Sequence, residues 1–411
     1  MLQGLGKKLS TWDHFFVGDD PPRRDQQLLK PFAYMPQLDA LRFLAVLGVM
    51  VAHNWHPRRL PWLLGDLDWA GLGVRLFFVL SGFLITGILL GCRNMAETNS
   101  QPATVFLQQF YIRRFLRICP IYYLVVFILI LTDVPPARDI WPWLMTYTTN
   151  FYITLNNEWV GRMGHFWTLA VEEQFYLIWP WLVLFAPRKW LLPTIIGMIP
   201  LSSAYRLYAY RNFPFDIGAM DFKAATLILA NVDILAVGAL LSLMWNSSLA
   251  KETLQLYLTR LILPFGLTIY VICLVLFHHR LKPAFFFVIG DFAAALICAW
   301  LVSSAALGFK GKLGKLLMSP ILRYLGKISY GLYVYHYLMP LILVPIFRHF
   351  GVTLHVPGLL NFILSTLLTI AIASLSWWLF ELPINNLKRY FEYASRRTVS
   401  VPGSVLLADR K

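Results

Sequence analysis

Residues 38–55, LDALRFLAVLGVMVAHNW, form an apolar run of membrane-spanning length that contains Arg42 and His53. On an α-helix, the eleven positions between them turn through about 1100°, or three turns and roughly 20°, so both side chains lie on one face. The rise of about 1.5 Å per residue separates them by roughly 16 Å along the axis.

A centrally placed arginine costs about 2.5–3.5 kcal/mol in a membrane helix, so this face predicts a functional site inside a helical bundle. The alternative is structural. Arg42 would reach the membrane interface and pair with Asp39, while His53 would cap the far end of the helix.

The composition indicates a protein that crosses a membrane many times. Of 411 residues, 58% are hydrophobic and only 14% are charged, whereas soluble domains contain about 25% charged residues. Stretches near the ~20 apolar residues needed to span a bilayer recur along the whole chain. We therefore predict an all-α fold, a polytopic membrane helical bundle of about ten transmembrane helices. The predicted spans are residues 38–57, 72–92, 115–133, 167–186, 190–206, 226–245, 260–278, 284–306, 324–347 and 358–382.

The charge distribution predicts the orientation of the bundle. The net charge is +15, and with the N-terminus inside, most Lys and Arg residues fall in cytoplasmic segments. The positive-inside rule then places both termini in the cytoplasm, and nucleic-acid binding is not needed to explain the charge. No secretory signal is visible in the first thirty residues.

Three regions are expected along the chain. Residues 1–37 form a cytoplasmic or interfacial N-terminal segment, residues 38–386 the transmembrane domain, and residues 387–411 a short basic cytoplasmic tail. The four cysteines are scattered without the spacing of metal ligands, so neither a metal site nor a disulfide framework is predicted.

A basic cluster, YIRRFLRICP at residues 111–120, marks the predicted cytoplasmic entrance to the third span. Arg114 and Arg117 are three residues apart and therefore neighbours on a helix. The planar guanidinium fork suits phosphate. The alternative is that these arginines only anchor the helix at the cytoplasmic interface.

An acidic pair, Glu172 and Glu173, follows His165 at the predicted outer end of the fourth span. Adjacent residues point about 100° apart on a helix, so one carboxylate can face the bundle. A buried Glu172 beside His53 would orient the imidazole for general-base work. The alternative is a salt bridge at the helix end with Arg162 or Arg206.

Two further groups are candidates for ligand contact. The run LGKISYGLYVYH at residues 325–336 places Lys327 and Tyr330 on a helix that enters the bundle from the cytoplasm; a packed polar seam is the alternative. Asp233 lies on the sixth predicted span, and with Glu173 and Arg206 it is a candidate contact for the second substrate. The aromatic loop 134–166 reads either as an interfacial belt or as a sugar-stacking surface.

Taken together, these residues resemble the acyltransferase-3 family of integral membrane acyltransferases, from about residue 36 to residue 387. Five ordered blocks carry the resemblance: LDALRFLAVLGVMVAH from Leu38, FFVLSGFLIT from Phe77, RRFLRICPIYYL from Arg113, FWTLAVEEQFYLIWP from Phe166, and LGKISYGLYVYH from Leu325. Asn231 stands where the family often has an arginine shortly before the acid at Asp233. The stand-alone form is expected, without a fused esterase-like domain.

The resemblance implies transfer of an acyl group, usually acetyl, from cytoplasmic acetyl-CoA to a sugar hydroxyl of a cell-surface glycan at the outer face of the bacterial inner membrane. Lipopolysaccharide or O-antigen sugars are the first expectation for the acceptor, and peptidoglycan is among the others. Matched to the family's motifs, His53 and Glu172 would be catalytic. Arg42, Arg114 and Arg117 would bind the CoA, helped by Lys327 and Tyr330.

Several questions stay open at this point. Transfer could be direct or could pass through an acyl-histidine; the sequence specifies neither the acyl length nor the oligomeric state. The rival class is a proton-coupled transporter that uses His53, Glu172 and Asp233 as a relay. A glycan-lipid flippase is the third possibility.

Overall fold

The structure is a computed structural model, and it describes residues 32–55, 65, 67–99, 101–213, 223–279 and 285–393. Throughout these ranges the regular secondary structure is helical, and no strand occurs in them. Most of the expected N-terminal segment and the tail beyond residue 393 lie outside the described residues.

The α-helices of the first half of the chain are α1 Pro36–Asn54, α2 Trp69–Asn99, α3 Ala103–Leu131, α4 Trp141–Met145, α5 Thr149–Asn156, α6 Phe166–Phe185, α7 Arg188–Asn212 and α8 Val232–Trp245. Those of the second half are α9 Lys251–Tyr257, α10 Leu263–His278, α11 Asp291–Leu307, α12 Gly311–Leu317, α13 Pro320–Lys327, α14 Ser329–Tyr335, α15 Met339–His349, α16 Leu359–Ser376 and α17 Leu382–Asn386.

Short π and 3₁₀ segments join some of these helices into longer units. The π segments are Leu258–Ile262, Phe286–Gly290 and Trp377–Glu381. The 3₁₀ segments are Gly161–Met163, Lys223–Thr226, Ile228–Ala230, His336–Leu338 and Leu387–Phe391.

The chain forms a multi-pass membrane bundle. In the described part of the chain, six helical units are long and apolar enough to cross a membrane by length and composition: Trp69–Thr98, Ala103–Leu131, Lys251–His278, Phe286–Leu307, Ser329–His349 and Leu359–Phe391. The other four predicted spans coincide with α1, α6, α7 and α8. The all-α membrane class is therefore confirmed, whereas the number of ten spans and the cytoplasmic termini stay predictions.

Helix α2 lies at the centre of the bundle because small residues let two neighbours approach it closely. A Cβ atom on Gly73 would lie 2.3 Å from the carbonyl oxygen of Ala45 in α1. A Cβ atom on Gly82 would lie 2.1 Å from the carbonyl oxygen of Leu235 in α8. These crossings hold α1 and α8 against different parts of α2 and thereby position Arg42 of α1 and Asp233 of α8.

Helix α13 packs just as closely on the start of α1. A Cβ atom on Gly326 would lie 2.0 Å from the carbonyl oxygen of Asp39. Because Gly326 has no side chain, the two helices can approach each other this closely. It brings the segment that carries Tyr330 beside the turn of α1 that carries Arg42.

Candidate active site

A cavity of about 550 Å³ lies at the end of the bundle where α1 begins. Its walls come from α1, α2, α3, α6 and α14, and its basic lining consists of Arg42, Arg113, Arg114, Arg117 and Lys388. We call it the arginine cavity. Its volume is within the range of about 300–1,000 Å³ that is usual for small-molecule sites.

Two arginines of this cavity are held in different ways. The Arg114 guanidinium lies 4.6 Å from the centroid of the Tyr176 ring and makes no hydrogen bond or ion pair with the described residues. Arg117 donates from Nη2 to the carbonyl oxygen of Lys327 at 2.7 Å and lies 5.2 Å from the Trp377 ring. The N–H donors of Arg114 are therefore available to bind an anion, whereas one N–H donor of Arg117 already bonds to the protein backbone.

Arg42 agrees with both interpretations of its position, a structural pair with Asp39 and a place in a functional site. Its Nη1 pairs with Asp39 Oδ1 at 2.5 Å, and its side chain, 34% exposed, also lines the arginine cavity. Tyr34 donates to the other carboxylate oxygen at 2.5 Å. Partial burial and the Asp39 carboxylate raise the pKa of Tyr34 to about 12, so this hydroxyl stays protonated at neutral pH.

The two predicted acids both line the arginine cavity. Glu172 accepts a hydrogen bond from Ser81 Oγ at 2.6 Å, and the Tyr176 hydroxyl lies 2.9 Å from the same Oγ. Sequence reasoning missed Ser81. The signal was a serine in the middle of the largely apolar block FFVLSGFLIT.

The predicted CoA contacts on the later helices separate into two groups. Tyr330 lines the arginine cavity and donates to the carbonyl oxygen of Ile118 at 3.1 Å. Lys327 does not belong to the lining, and it is its backbone carbonyl that reaches Arg117. Lys388 lines the cavity instead, although the sequence had assigned it to the tail.

A second cavity, of about 390 Å³, lies where α1 ends. We call it the histidine cavity, because His53 and His165 line it. Trp159, Trp167 and Tyr337 supply its aromatic lining. The Tyr337 ring lies 4.4 Å from the ring of His53.

Three imidazoles gather beside this cavity. His53 Nδ1 is 2.9 Å from His336 Nε2, and the ring centroids of His165 and His336 are 5.0 Å apart. His165 Nε2 is 3.2 Å from the carbonyl oxygen of Val334. Among the residues that the structure describes, no group of three His, Cys, Asp or Glu side chains is arranged to hold a metal ion.

The structure corrects the expectation that Glu172 orients His53. Glu172 bonds to Ser81 in the arginine cavity, whereas His53 bonds to His336 in the other cavity. The reason is that Glu172 and His53 lie at different depths in the bundle. Seven residues of helix separate Glu172 from His165, or roughly 10 Å of axial rise, and it is His165 that reaches the level of His53.

The two cavities meet at Val74, Thr168 and Tyr333, which line both of them. The hydroxyls of Thr168 and Tyr333 are 2.6 Å apart. Thr168 Oγ1 also donates to the carbonyl oxygen of His165 at 3.0 Å. The side chain of Val74 and the hydroxyl pair of Thr168 and Tyr333 therefore form the partition between the arginine cavity and the histidine cavity.

A charge chain of five side chains lies beside the histidine cavity: Asp233, Arg206, Asp291, Arg75 and Asp68. Arg206, 1% exposed, pairs with Asp233 at 2.5 Å, and its Nε lies 3.9 Å from Asp291. Arg75 bridges Asp291 and Asp68, the latter at 2.9 Å.

Only part of this charge chain reaches the cavity. Asp68, Arg75 and Asp291 line it, whereas Arg206 and Asp233 lie behind them and line neither cavity. The structure thus places these two predicted acceptor contacts in a buried ion pair. Arg206 of α7 supplies the positive charge that Asn231 does not provide.

A family model and several curated proteins match this chain. The model of the acyltransferase domain family, Acyl_transf_3, matches residues 35–378. No solved structure matches the chain at a significant level.

Curated relatives match most of the chain. The peptidoglycan O-acetyltransferase OatA of Listeria monocytogenes is 29% identical over 394 residues, which cover 87% of this chain and 57% of the relative. YrhL of Bacillus subtilis, whose name assigns the same activity provisionally, is 27% identical over 392 residues, or 89% of this chain and 56% of the relative. The chain spans a little over half the length of these relatives. It belongs to the acyltransferase-3 family of membrane O-acyltransferases.

Proposed function

We propose that the protein transfers an acetyl group from acetyl-CoA, bound in the arginine cavity, to a sugar hydroxyl bound in the histidine cavity. The observation that carries this proposal is the meeting of the two cavities at Val74, Thr168 and Tyr333. Arg42 and His53 stand on either side of this partition, roughly 16 Å apart along α1. That length is comparable to an extended pantetheine arm.

The lining of the arginine cavity supports a phosphate-bearing donor. Phosphates cannot cheaply enter hydrocarbon, so the nucleotide stays at the end of the bundle. The donors of Arg114 are available for charge-assisted hydrogen bonds to phosphate, and Arg42, Arg117, Tyr330 and Lys388 stand around the same space. In the orientation that the positive-inside rule predicts, this end faces the cytoplasm.

The lining of the histidine cavity supports a sugar acceptor. Trp159 and Trp167 offer aromatic faces, and the carboxylates of Asp68 and Asp291 can accept hydrogen bonds from hydroxyl groups. Under the same orientation, the acceptor is a cell-surface glycan that reaches the outer face of the bacterial inner membrane. Lipopolysaccharide with its O-antigen is our first candidate, and peptidoglycan, named for OatA and YrhL, is the second.

In the proposed reaction, His53 removes the proton of the acceptor hydroxyl while the oxygen attacks the thioester carbonyl carbon. The carbon–sulfur bond breaks, and the thiolate of CoA takes the proton back from the imidazolium. The products are the acetyl ester and free CoA, so atoms and charges balance without a metal or a redox partner.

The contacts of the buried charges argue against a proton relay. Such a relay needs His53, Glu172 and Asp233 in sequence, but Glu172 bonds to Ser81 and Asp233 pairs with Arg206. A transporter therefore has less support than an acyltransferase.

Radiolabelled acetyl-CoA tests the proposal. Membranes that contain the protein are incubated with it and with either lipopolysaccharide or peptidoglycan. We expect label in one glycan with the wild type and with His349→Ala, a matched control at an exposed site, and no label above background with His53→Ala. Full activity of His53→Ala would remove the catalytic assignment, and accumulation of substrate in vesicles without acylation would favour transport.

A further inference from the structure

The break between α14 and α15 sets the position of His336. Pro340 stands four residues after His336 and has no N–H group, so the carbonyl of His336 cannot make the usual helical hydrogen bond. Residues His336–Leu338 form a 3₁₀ turn there. The tighter turn points the imidazole of His336 back along the chain, where Nδ1 lies 2.6 Å from the carbonyl oxygen of Tyr333.

This contact determines the tautomer of His336. A carbonyl oxygen only accepts hydrogen bonds, so Nδ1 of His336 must carry a proton and donate it. The side chain is fully buried and has two other imidazoles beside it. A second proton would place an unpaired charge in this site at high cost. The neutral ring therefore carries a lone pair on Nε2.

The same reasoning then determines the tautomer of His53. The planes of the two rings differ by only 7°, and the nearest nitrogens are 2.9 Å apart. Two parallel rings whose nearest atoms are only 2.9 Å apart cannot be stacked face to face, since van der Waals contact needs about 3.5 Å. They lie edge to edge in one plane, which is the geometry of a hydrogen bond. Because Nε2 of His336 can only accept, Nδ1 of His53 donates.

We propose that His336 is the positioning residue for His53: through the chain from the Tyr333 carbonyl to His336 and on to His53, it holds the proton on Nδ1 and leaves the basic lone pair on Nε2 of His53. This inference rests on the proposed acyltransferase function and replaces Glu172 in the orienting role. When Nε2 takes the proton of the acceptor hydroxyl, the new positive charge forms on an imidazole whose other N–H is already bonded to His336. His336 would act here as the carboxylate acts in a hydrolase triad, where it orients the catalytic histidine. The difference is that the acceptor is a neutral imidazole.

Substitution of His336 separates positioning from packing. His336→Leu fills space without an acceptor, whereas the carbonyl of His336→Gln can reach the place of Nε2, and His336→Asn is too short to do so. We expect kcat to fall about 100-fold or more in the Leu and Asn variants, the range of a lost general base. In the Gln variant the loss of kcat should be smaller by a factor of at least about ten. KM for acetyl-CoA should stay within about twofold in all three, since the arginine cavity is unchanged. His349→Gln is the control.

Equal kcat losses in the Gln and Leu variants, or kcat within twofold of the wild type in the Leu variant, would overturn the inference. The tautomers in the wild-type protein provide a second readout, which does not depend on the activity of any variant. In protein labelled with ¹⁵N-histidine, the Nδ1 atoms of both His53 and His336 should carry the proton, with the His53 signals assigned from their loss in His53→Gln. A proton on Nε2 of His53 would contradict the proposed chain.

The proposed function and this inference fail in different ways. If the wild type moves no label into any glycan while the tautomers are as expected, the function is wrong and the hydrogen-bond chain stands. If the wild type acetylates and the His336 variants do so equally well, the function stands and the inference is wrong.

Discussion

At the scale of single residues, the neighbours of each arginine in the arginine cavity decide what it can do. Among the described residues, Arg114 contacts the Tyr176 ring and makes no hydrogen bond, whereas Arg117 donates to the backbone carbonyl of Lys327. A residue whose donors are available can bind phosphate, and a residue whose donors are in use supports the wall of the cavity.

We therefore expect Arg114→Ala to raise KM for acetyl-CoA about tenfold or more, the loss of roughly one charge-assisted hydrogen bond of about 1.5–3 kcal/mol, with kcat little changed. Arg114→Lys should recover part of the affinity because it keeps the charge without the fork. Initial rates measured against acetyl-CoA concentration check this. Unchanged KM in the Ala variant would show that the donor does not bind there.

The sequence predicted individual residues better than their partners. Arg42 and His53 were expected on one face of α1, and each lines a cavity there. Glu172 was expected beside His53 because both fall near helix ends. Helical spacing reveals which residues share a face of one helix, but it does not reveal which turn of another helix that face meets. For that reason His336 was predicted only within the run 325–336, as a ligand contact or as part of a packed polar seam, and not as a partner of His53.

At the scale of helices, the packing of α2 on α8 holds the centre of the bundle together. A Cβ atom on Gly238 would lie 2.2 Å from the carbonyl oxygen of Val79, and backbone atoms cannot move away as a flexible side chain can. In the part of the chain that the structure describes, each of the ten predicted apolar runs contains an α-helix. The sequence did not predict the π segments or the 3₁₀ turn at His336, because their hydrophobic pattern differs little from that of an α-helix.

We expect Gly238→Ala to force α2 and α8 apart and to destabilise the bundle by about 1–3 kcal/mol, as overpacking of a closely packed site does. The midpoint of thermal unfolding in detergent should fall. Gly197→Ala on α7 is the matched control, because a Cβ atom there meets nothing within 4 Å, and its midpoint should not fall. Equal midpoints for the two variants would show that the α2–α8 contact is looser than the structure has it.

At the scale of the whole molecule, the two cavities lie towards opposite ends of α1 and differ in their lining. The cations collect where α1 begins, and the imidazoles and tryptophans collect where it ends. The sequence predicted this polarity from the places of Arg42 and His53, but it could not predict the partition at Thr168 and Tyr333, which joins two helices far apart in the chain. In the proposed function, donor and acceptor enter from opposite sides of the membrane and meet at His53.

The most direct test uses proteoliposomes with radiolabelled acetyl-CoA sealed inside and the glycan acceptor only outside. Acetyl-CoA cannot cross the bilayer because its phosphates stay in water. We expect label in the external glycan with the wild-type protein and none with His53→Ala. Label that reaches the glycan only when both substrates are on the same side would rule out transfer across the membrane.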